Sequence, residues 1–400
     1  MNTRREFRSA VGKVVGTVTV PQTVVDDEDI HPQNLKPLAS YNWINDPNPT
    51  IMVPGTHAPF LSTMNLIVFL GAPGMWNPPA FPLRVPQDSG LYYIDQNGHR
   101  HPAFPLEPLF RAVFIEQSDF SVATLDLVTD RNNLRKIVWA ISGERIEDFR
   151  IDIQLVGKTL LFQRWETNTS EYIVEFRGYG HSFEKMCTTY SGDGMKASTG
   201  HHRVVKYNLA GLEVLTRFEV DAYYPDDVSN TGMGSSSRTA PVDMDALTSS
   251  LQKVQLTTSQ RGKIDATSTL RVIEGGYKAP HSSLIEIKTR AQHRPIQISD
   301  VIYQLWFAQV RHLIAGYHSR GRFIRSEQKD FVHTGEFRKF EQRKGDDLRK
   351  FVKVVEGIRT AMVRGKIKKA VLLFEGSDMK LYERSGVWNS LPADLLARWE

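Results

Sequence analysis

Acidic residues occur in three short stretches where strand packing would favour apolar side chains. In RFEVDAYY, Glu219 and Asp221 stand two apart on a predicted strand, so both side chains leave the same face. Glu286 and Lys288 have the same relation in LIEIKT, and Glu184 lies in GYGHSFEKMC after a glycine-rich turn. Each triplet alone is a weak signal, because such patterns arise by chance on half-exposed strands. Together they propose an acidic cluster carried on two strands and a helix, with one lysine among the carboxylates. Four converging carboxylates would repel by on the order of 4 kcal/mol per pair at about 4 Å and an effective dielectric of about 20, which one lysine does not neutralise. The remedies are protonation or bound cations. An all-oxygen ligand set, with no cysteine and no needed histidine, selects Mg²⁺ or Mn²⁺ over zinc. Two such ions clamp a phosphodiester or pyrophosphate oxygen, activate a water and stabilise the leaving oxyanion, and Lys288 would position that water or offset transition-state charge. The chemistry is metal-assisted hydrolysis of a phosphate ester.

The elements that must carry these residues follow from periodicity. TLDLVTDRNNLRKIVWAI alternates and then offers Asp130 as the N-cap of a helix. FRIDIQLVGKTLLFQRWE reads as a hairpin about Val-Gly-Lys. Residues 171–188 read as helical, GLEVLTRFEVDAYY as one long strand or two, and SSLIEIKT as a short strand. A helix is expected from Ile298 to Leu313, with Ser299 as cap. A second runs from about Asp346 to Arg364, where Leu348, Phe351, Val355, Ile358 and Met362 make the apolar stripe and Gly365 follows the end. KKAVLLFEG closes the series as a strand. Strands and helices intermix without strict βαβ alternation, so the expected class is α+β or mixed α/β, a mixed sheet flanked by helices.

Twelve of the 20 prolines lie between Pro47 and Pro108, which predicts an irregular, packed segment of loops and short strands wrapping a core formed later. Residues 226–262 are rich in Ser, Thr, Asp and Gly and read as a mobile surface insertion. The expected division is an N-terminal segment, 1–30, and one large domain, 31–400.

Of 400 residues, 40% are hydrophobic and 24% charged, which excludes wholesale disorder and fibrous repeats. Cys187 is the single cysteine, so neither an intrachain disulfide framework nor a cysteine-based zinc site is available, and a reducing compartment is expected. LIVFLGA, residues 66–72, is the longest apolar stretch and falls far short of the roughly 20 residues that span a bilayer. MNTRREFRSA lacks the apolar region of a secretory signal, which points to an intracellular protein. Lys+Arg 50 against Asp+Glu 45 gives +5, but residues 311–370 hold 17 basic and seven acidic residues, a local +10 that leaves −5 elsewhere. That region is either a solvated basic helix face or a surface for phosphate backbones.

The order Arg131, Gly-x-x-Phe-Glu184, Glu219-Val-Asp221, Glu286-Ile-Lys288 and Ala308-Gln309 resembles the DXO family of RNA 5′-end decapping nucleases. SYNWINDPNPTIMVPG, DQNGHRHPAFPLEPLFRAVF, DLVTDRNNLRKI and LWFAQVRHLIAGYHSRGRF are similar to its fungal branch, which includes the partner protein of the nuclear 5′–3′ exoribonuclease. The resemblance implies a mixed-sheet nuclease core of the PD-(D/E)xK type. It implies Glu184, Glu219, Asp221 and Glu286 as metal ligands, with the Ile287 carbonyl as a backbone ligand. Lys288 matches the lysine near the attacked phosphate, Gln309 the glutamine beside it, and Arg131 the arginine that holds substrate phosphates. Members remove incomplete or non-standard caps, triphosphate ends or NAD caps, and some then degrade the RNA. Two departures bear on substrate preference: His181 stands where an apolar residue is usual, and THAPF follows Pro54-Gly55 where a second proline and a tryptophan are expected.

Other candidates have plainer readings. His201 and His202, adjacent on a strand, are expected at the surface, and His99 and His101 in a solvated turn. Cys187 is expected as a small buried residue, and Trp306 and Phe307 as helix packing. Tyr317, Arg320 and Arg322 could line a single-strand channel. The leading expectation is a Mg²⁺- or Mn²⁺-dependent RNA 5′-end hydrolase located in the nucleus, or else in the cytoplasm. The alternative is a non-catalytic stabiliser of a 5′–3′ exoribonuclease partner; a third is a DNA nuclease of the same broad superfamily.

Overall fold

The computed structural model describes residues 2–24, 30–54, 72–145, 147–174, 178–190, 198–225 and 268–400. The insertion expected at 226–262 and the THAPF segment lie outside them. Helix α1 (Asn2–Phe7) and strand β1 (Val11–Thr17) precede the long β2 (Gln33–Ile44) and β3 (Thr50–Val53). The proline-rich stretch contributes β4 (Gly74–Trp76), β5 (Leu83–Arg84), β6 (Gly90–Tyr93), α2 (Gln96–Arg100) and α3 (Glu107–Glu116). Next come β7 (Leu127–Asp130), α4 (Arg131–Ser142), the hairpin β8 (Phe149–Val156) and β9 (Thr159–Arg164), and β10 (Ser170–Ile173). Helix α5 (Gly180–Cys187) runs into β11 (Thr188–Thr189), and the hairpin β12 (Ser198–Leu209) and β13 (Leu212–Val220) into β14 (Ala222–Tyr223). The remainder is β15 (Arg271–Glu274), β16 (Leu284–Ala291), α6 (Ile298–Ala308), β17 (His312–Ser319), β18 (Arg322–Asp330), α7 (Glu336–Arg364), β19 (Lys369–Glu375), β20 (Asp378–Arg384) and α8 (Ala393–Leu396).

Among the described residues the strands make three sheets. Eleven run in the order β1-β20-β19-β8-β9-β7-β13-β12-β2-β3-β15, seven in the order β11-β4-β14-β16-β17-β18-β5, and β10 pairs with β6. Both larger sheets are mixed: β7 is parallel to β9 and β13, and β16 to β17, whereas the hairpins are antiparallel. This is the α+β, mixed-sheet class expected from the intermixed pattern.

Alternation along β7 and β13 sends Leu127 and Val214 into a core shared with α4, α6 and α7, and Val128 and Leu215 into one shared with α3. The eleven-stranded sheet is therefore covered on both faces, which is why its central strands are buried almost throughout, Arg150 and Asp152 of β8 included. Strand β13 ends at Val220 and β14 begins at Ala222, so the chain leaves one large sheet and enters the other at Asp221.

Several expectations change. The helix read over 171–188 is shorter: Ser170–Ile173 pairs with β6, and the helix starts at Gly180, where Asp88 accepts from the Ser182 amide at 2.8 Å. The helix read to Leu313 stops at Ala308, because Gln309 turns left-handed (φ 53°) and His312 starts β17. Helix α7 starts ten residues before Asp346, since Phe337 and Phe340 extend its buried stripe; Asp346 and Asp347 are interior and pair with Lys350 and Lys344. His201, His202 and His101 are buried rather than solvated. The first two lie on β12, which is covered by neighbours on both sides, and His101 Nε2 meets Glu107 at 2.7 Å. Cys187, Trp306 and Phe307 are buried as expected.

Asp130 occupies the N-cap position of α4, but its carboxylate pairs with Arg217 (2.7 and 3.0 Å) instead of capping. Arg217 is fully buried on β13 and also donates to the Pro105 carbonyl at 2.7 Å. Asp130→Ala leaves a buried guanidinium without its counter-charge, and urea denaturation is expected to read a loss of about 3–5 kcal/mol.

Candidate active site

The seam between the two large sheets places the carboxylates. Glu219 is the penultimate residue of β13, and Asp221 follows it across the seam. Asp221 Oδ2 accepts from the Ile287 amide of β16 at 2.7 Å, which ties the seam to the strand carrying Glu286 and Lys288. Glu184 comes from α5, whose Phe183 and Cys187 pack on the seven-stranded sheet. Gly316 on β17 makes room for that helix, because a Cβ there would stand 2.8 Å from the Phe183 ring.

Glu286 is the most buried of the four, at 4% exposure. Its Oε1 accepts from Lys288 Nζ and Gln304 Nε2, and its Oε2 from Arg131 Nη1 at 3.3 Å. Lys288 Nζ also donates to the Ile287 carbonyl at 3.1 Å and stands 3.8 Å from Asp221 Oδ2. Arg131 lies over the Phe218 ring, 5.3 Å from its centroid, and donates to the Gln304 carbonyl. Arg135 Nη1 holds Gln304 Oε1 at 2.7 Å, so the amide orientation that serves Glu286 is fixed from behind.

Charge separates the carboxylates into two kinds. Burial pushes Glu184 well above the usual carboxylate range, and the Asp221 and Glu219 charges push it further. Burial and the neighbouring Asp221 raise Glu219 to about 7; burial and Glu286 raise Asp221 to about 6 against the pull of Lys288. Glu286 behaves oppositely: burial would raise it, but Lys288 and Arg131 hold it below its ordinary value. Solvent reaches Glu219 and Tyr190, although the atoms packed around both desolvate them.

The structure therefore brings Glu184, Glu219, Asp221, Glu286, Lys288 and Arg131 into one electrostatic neighbourhood, with the Ile287 carbonyl among them. Among the described residues the carboxylates do not close into a ready ligand shell, as Glu286 is drawn to its cations and Asp221 to the Ile287 amide. Gln309 stands apart: its side-chain amide donates to the Trp306 carbonyl at 2.6 Å, and its own carbonyl meets His281 Nε2. Gln304, which the sequence reading passed over, occupies the place beside Glu286; a glutamine on the buried stripe of α6 was the available signal.

Gln96 is a second residue not anticipated. Its Nε2 donates to the Thr199 carbonyl and hydroxyl at 3.0 and 2.9 Å, which fixes the amide orientation, and its buried Oε1 has no partner among the described residues. That oxygen lies against Gly200, where a Cβ would meet it at 2.4 Å and Glu219 Oε1 at 3.2 Å. Two acceptor oxygens thus flank the space that Gly200 leaves open, an arrangement that a cation or a proton between them relieves.

The family model described as Domain of unknown function (DUF8563) matches residues 13–398. No curated protein matches the chain. Among solved structures the chain is similar to S. pombe Rai1 in complex with 3′-FADP, with a TM-score of 0.52 at 12% identity, over 92% of this chain and 98% of that one. It is similar to mutant S. pombe Rai1 in the same complex, with a TM-score of 0.50 at 11% identity over 91% and 97%. K. lactis Dxo1 in complex with manganese gives 0.48 at 10% identity over 92% and 95%. The likeness to the S. pombe protein is one of fold, and it is the fold of the group that the ordered motifs resemble.

Proposed function

The chain belongs to the family described as Domain of unknown function (DUF8563), and from the site it carries we propose a divalent-metal hydrolase that removes incomplete or non-standard caps from RNA 5′ ends. The observation that carries this reading is the meeting of four carboxylates with Lys288 and Arg131 at the seam of two sheets. The fold shared with S. pombe Rai1, whose structure is a complex with 3′-FADP, supports a nucleotide-containing substrate.

The donor set fits Mg²⁺ or Mn²⁺. Glu184, Glu219, Asp221, Glu286 and the Ile287 carbonyl are hard oxygen donors, and the orphaned Gln96 Oε1 beside Glu219 adds a neutral one. Bound there, such ions polarise phosphoryl oxygens and lower the pKa of water. Lys288 places positive charge between Glu286 and Asp221, where a phosphate oxygen gains charge as its bond breaks. Arg131 is held from three sides, by Glu286, the Gln304 carbonyl and the Phe218 ring, and so is oriented before a phosphate arrives. Glu184, whose proton affinity is raised by burial and by the Asp221 and Glu219 charges, is the carboxylate that a bound cation would relieve most.

RNA carrying a labelled cap, a 5′-triphosphate or an NAD end, incubated with Mg²⁺ or Mn²⁺, is expected to release the label or phosphate product. No release from any of these ends overturns the reading. Gln96→Leu is expected to weaken Mn²⁺ binding about 10-fold by titration calorimetry, with Glu219→Gln as the comparison. Unchanged affinity removes Gln96 from the ligand set.

A further inference from the structure

Beside the carboxylates stands a pair of stacked rings that the hydrolytic chemistry does not use. His181, in the first turn of α5, lies face to face with Tyr92 of β6, with centroids 4.0 Å apart and planes inclined by 23°. His181 is solvent-exposed, and neither ring belongs to a hydrophobic core cluster among the described residues. The stack is held from below. The His181 and Ser182 amides point at Asp88, and the sheet that carries Tyr92 is fixed by the β6–β10 pairing.

Its position ties it to the carboxylates. His181 precedes Glu184 by three residues, so both rise from the same face of α5. Lys288 lies close enough to His181, and Glu184 to Tyr92, for their charges to interact. Tyr190, 41% exposed, stands within the field of Glu184, Glu219 and Asp221. Flat rings, one of them solvent-exposed, near a lysine suited to a phosphate present what an unpaired base next to that phosphate would meet. Every base has a π-face, and stacking onto an aromatic side chain is sequence-tolerant.

We propose that the Tyr92–His181 stack is the platform on which the 5′-terminal nucleobase of the substrate lies while its phosphate is held at Lys288 and Arg131. The platform rests on the RNA 5′-end reading above and adds a positioning element to it. His181 is the residue that departs from the apolar position of the motif, and the departure supplies an exposed ring on which a base can lie.

The test is binding of a 5′-phosphorylated oligoribonucleotide whose first base is 2-aminopurine, followed by quenching of that base, with the full chain in Ca²⁺. Wild-type protein is expected to quench the probe. His181→Ala and Tyr92→Ala are expected to weaken binding about 10-fold, and His181→Phe to retain it. An otherwise identical probe with an abasic first position should bind wild-type and His181→Ala protein equally. Unchanged affinity and quenching in both alanine variants overturn the platform, as does an equal loss for the abasic probe, which would make the stack a support for α5 alone. Failure of wild-type protein to bind either probe overturns the RNA reading together with the platform, whereas tight binding that ignores the first base overturns the platform only.

Discussion

On the proposed function, Asp221→Asn is expected to lower kcat/KM for metal-dependent hydrolysis of RNA 5′ ends by at least about 100-fold while the protein still folds. The loss follows from position. Asp221 is the carboxylate at the seam, and its charge interacts with Glu184, Glu219, Glu286 and Lys288 together. In the proposed site, removing that charge would subtract a metal-binding oxygen and unbalance the lysine, each worth several kcal/mol of transition-state stabilisation. Folding tolerates it because the structural duty of Asp221, accepting from the Ile287 amide, passes to the asparagine carbonyl oxygen. Single-turnover assays at saturating Mn²⁺ read the effect; activity within a few-fold of wild type would remove Asp221 from the site.

The same substitution stabilises the protein in chelator, and the gain grows with pH. A carboxyl group raised from 3.8 to about 6 by folding binds its proton more tightly in the native than in the unfolded state. Native protein therefore holds more protons between about pH 4 and 6, and the contribution of Asp221 to stability falls as pH rises through that window. Above it the ionised carboxylate costs about 2–3 kcal/mol. Glu219, raised to about 7, carries the same sign to neutral pH. Buried histidines such as His201 and His202 have lowered pKa values and the opposite slope below about pH 6.5, but they are common to both proteins and cancel in the difference. Urea denaturation in EDTA should show near equality at pH 4.5 and a more stable Asp221→Asn protein at pH 7.5, with saturating Mn²⁺ reversing the order. A pH-independent difference would mean that the site carboxylates are not destabilising.

The parts of this arrangement that were legible in sequence are the local ones. Glu219-Val-Asp221 and Glu286-Ile-Lys288 needed only the two-residue period of a strand to be placed on shared faces, and the hairpin of β8 and β9 needed only its turn. Gln96 was not legible, because its approach to Gly200 and Glu219 is created by tertiary packing across more than 100 positions of chain. The histidines of β12 were misjudged for a related reason. Adjacent residues on a strand do face opposite ways, but here both directions are interior, and only the sheet order reveals it. The glutamine at the site illustrates a third limit. The motif order favoured Gln309, but a left-handed turn at the end of α6 aims that side chain back at Trp306, while Gln304, five residues earlier, meets Glu286.

The passage of the chain from one sheet to the other at a single residue makes the site intolerant of a kind of change that neither sheet would register. Adding one residue between Val220 and Ala222 would leave each strand free to keep its partners, yet it would break the phase that now aims Asp221 at Ile287. Substitutions across the seam can be absorbed one side chain at a time, whereas a change in length there has no small version. Descendants of this chain can therefore vary the chemistry of residues 219–221 gradually, but the spacing is inherited whole or lost.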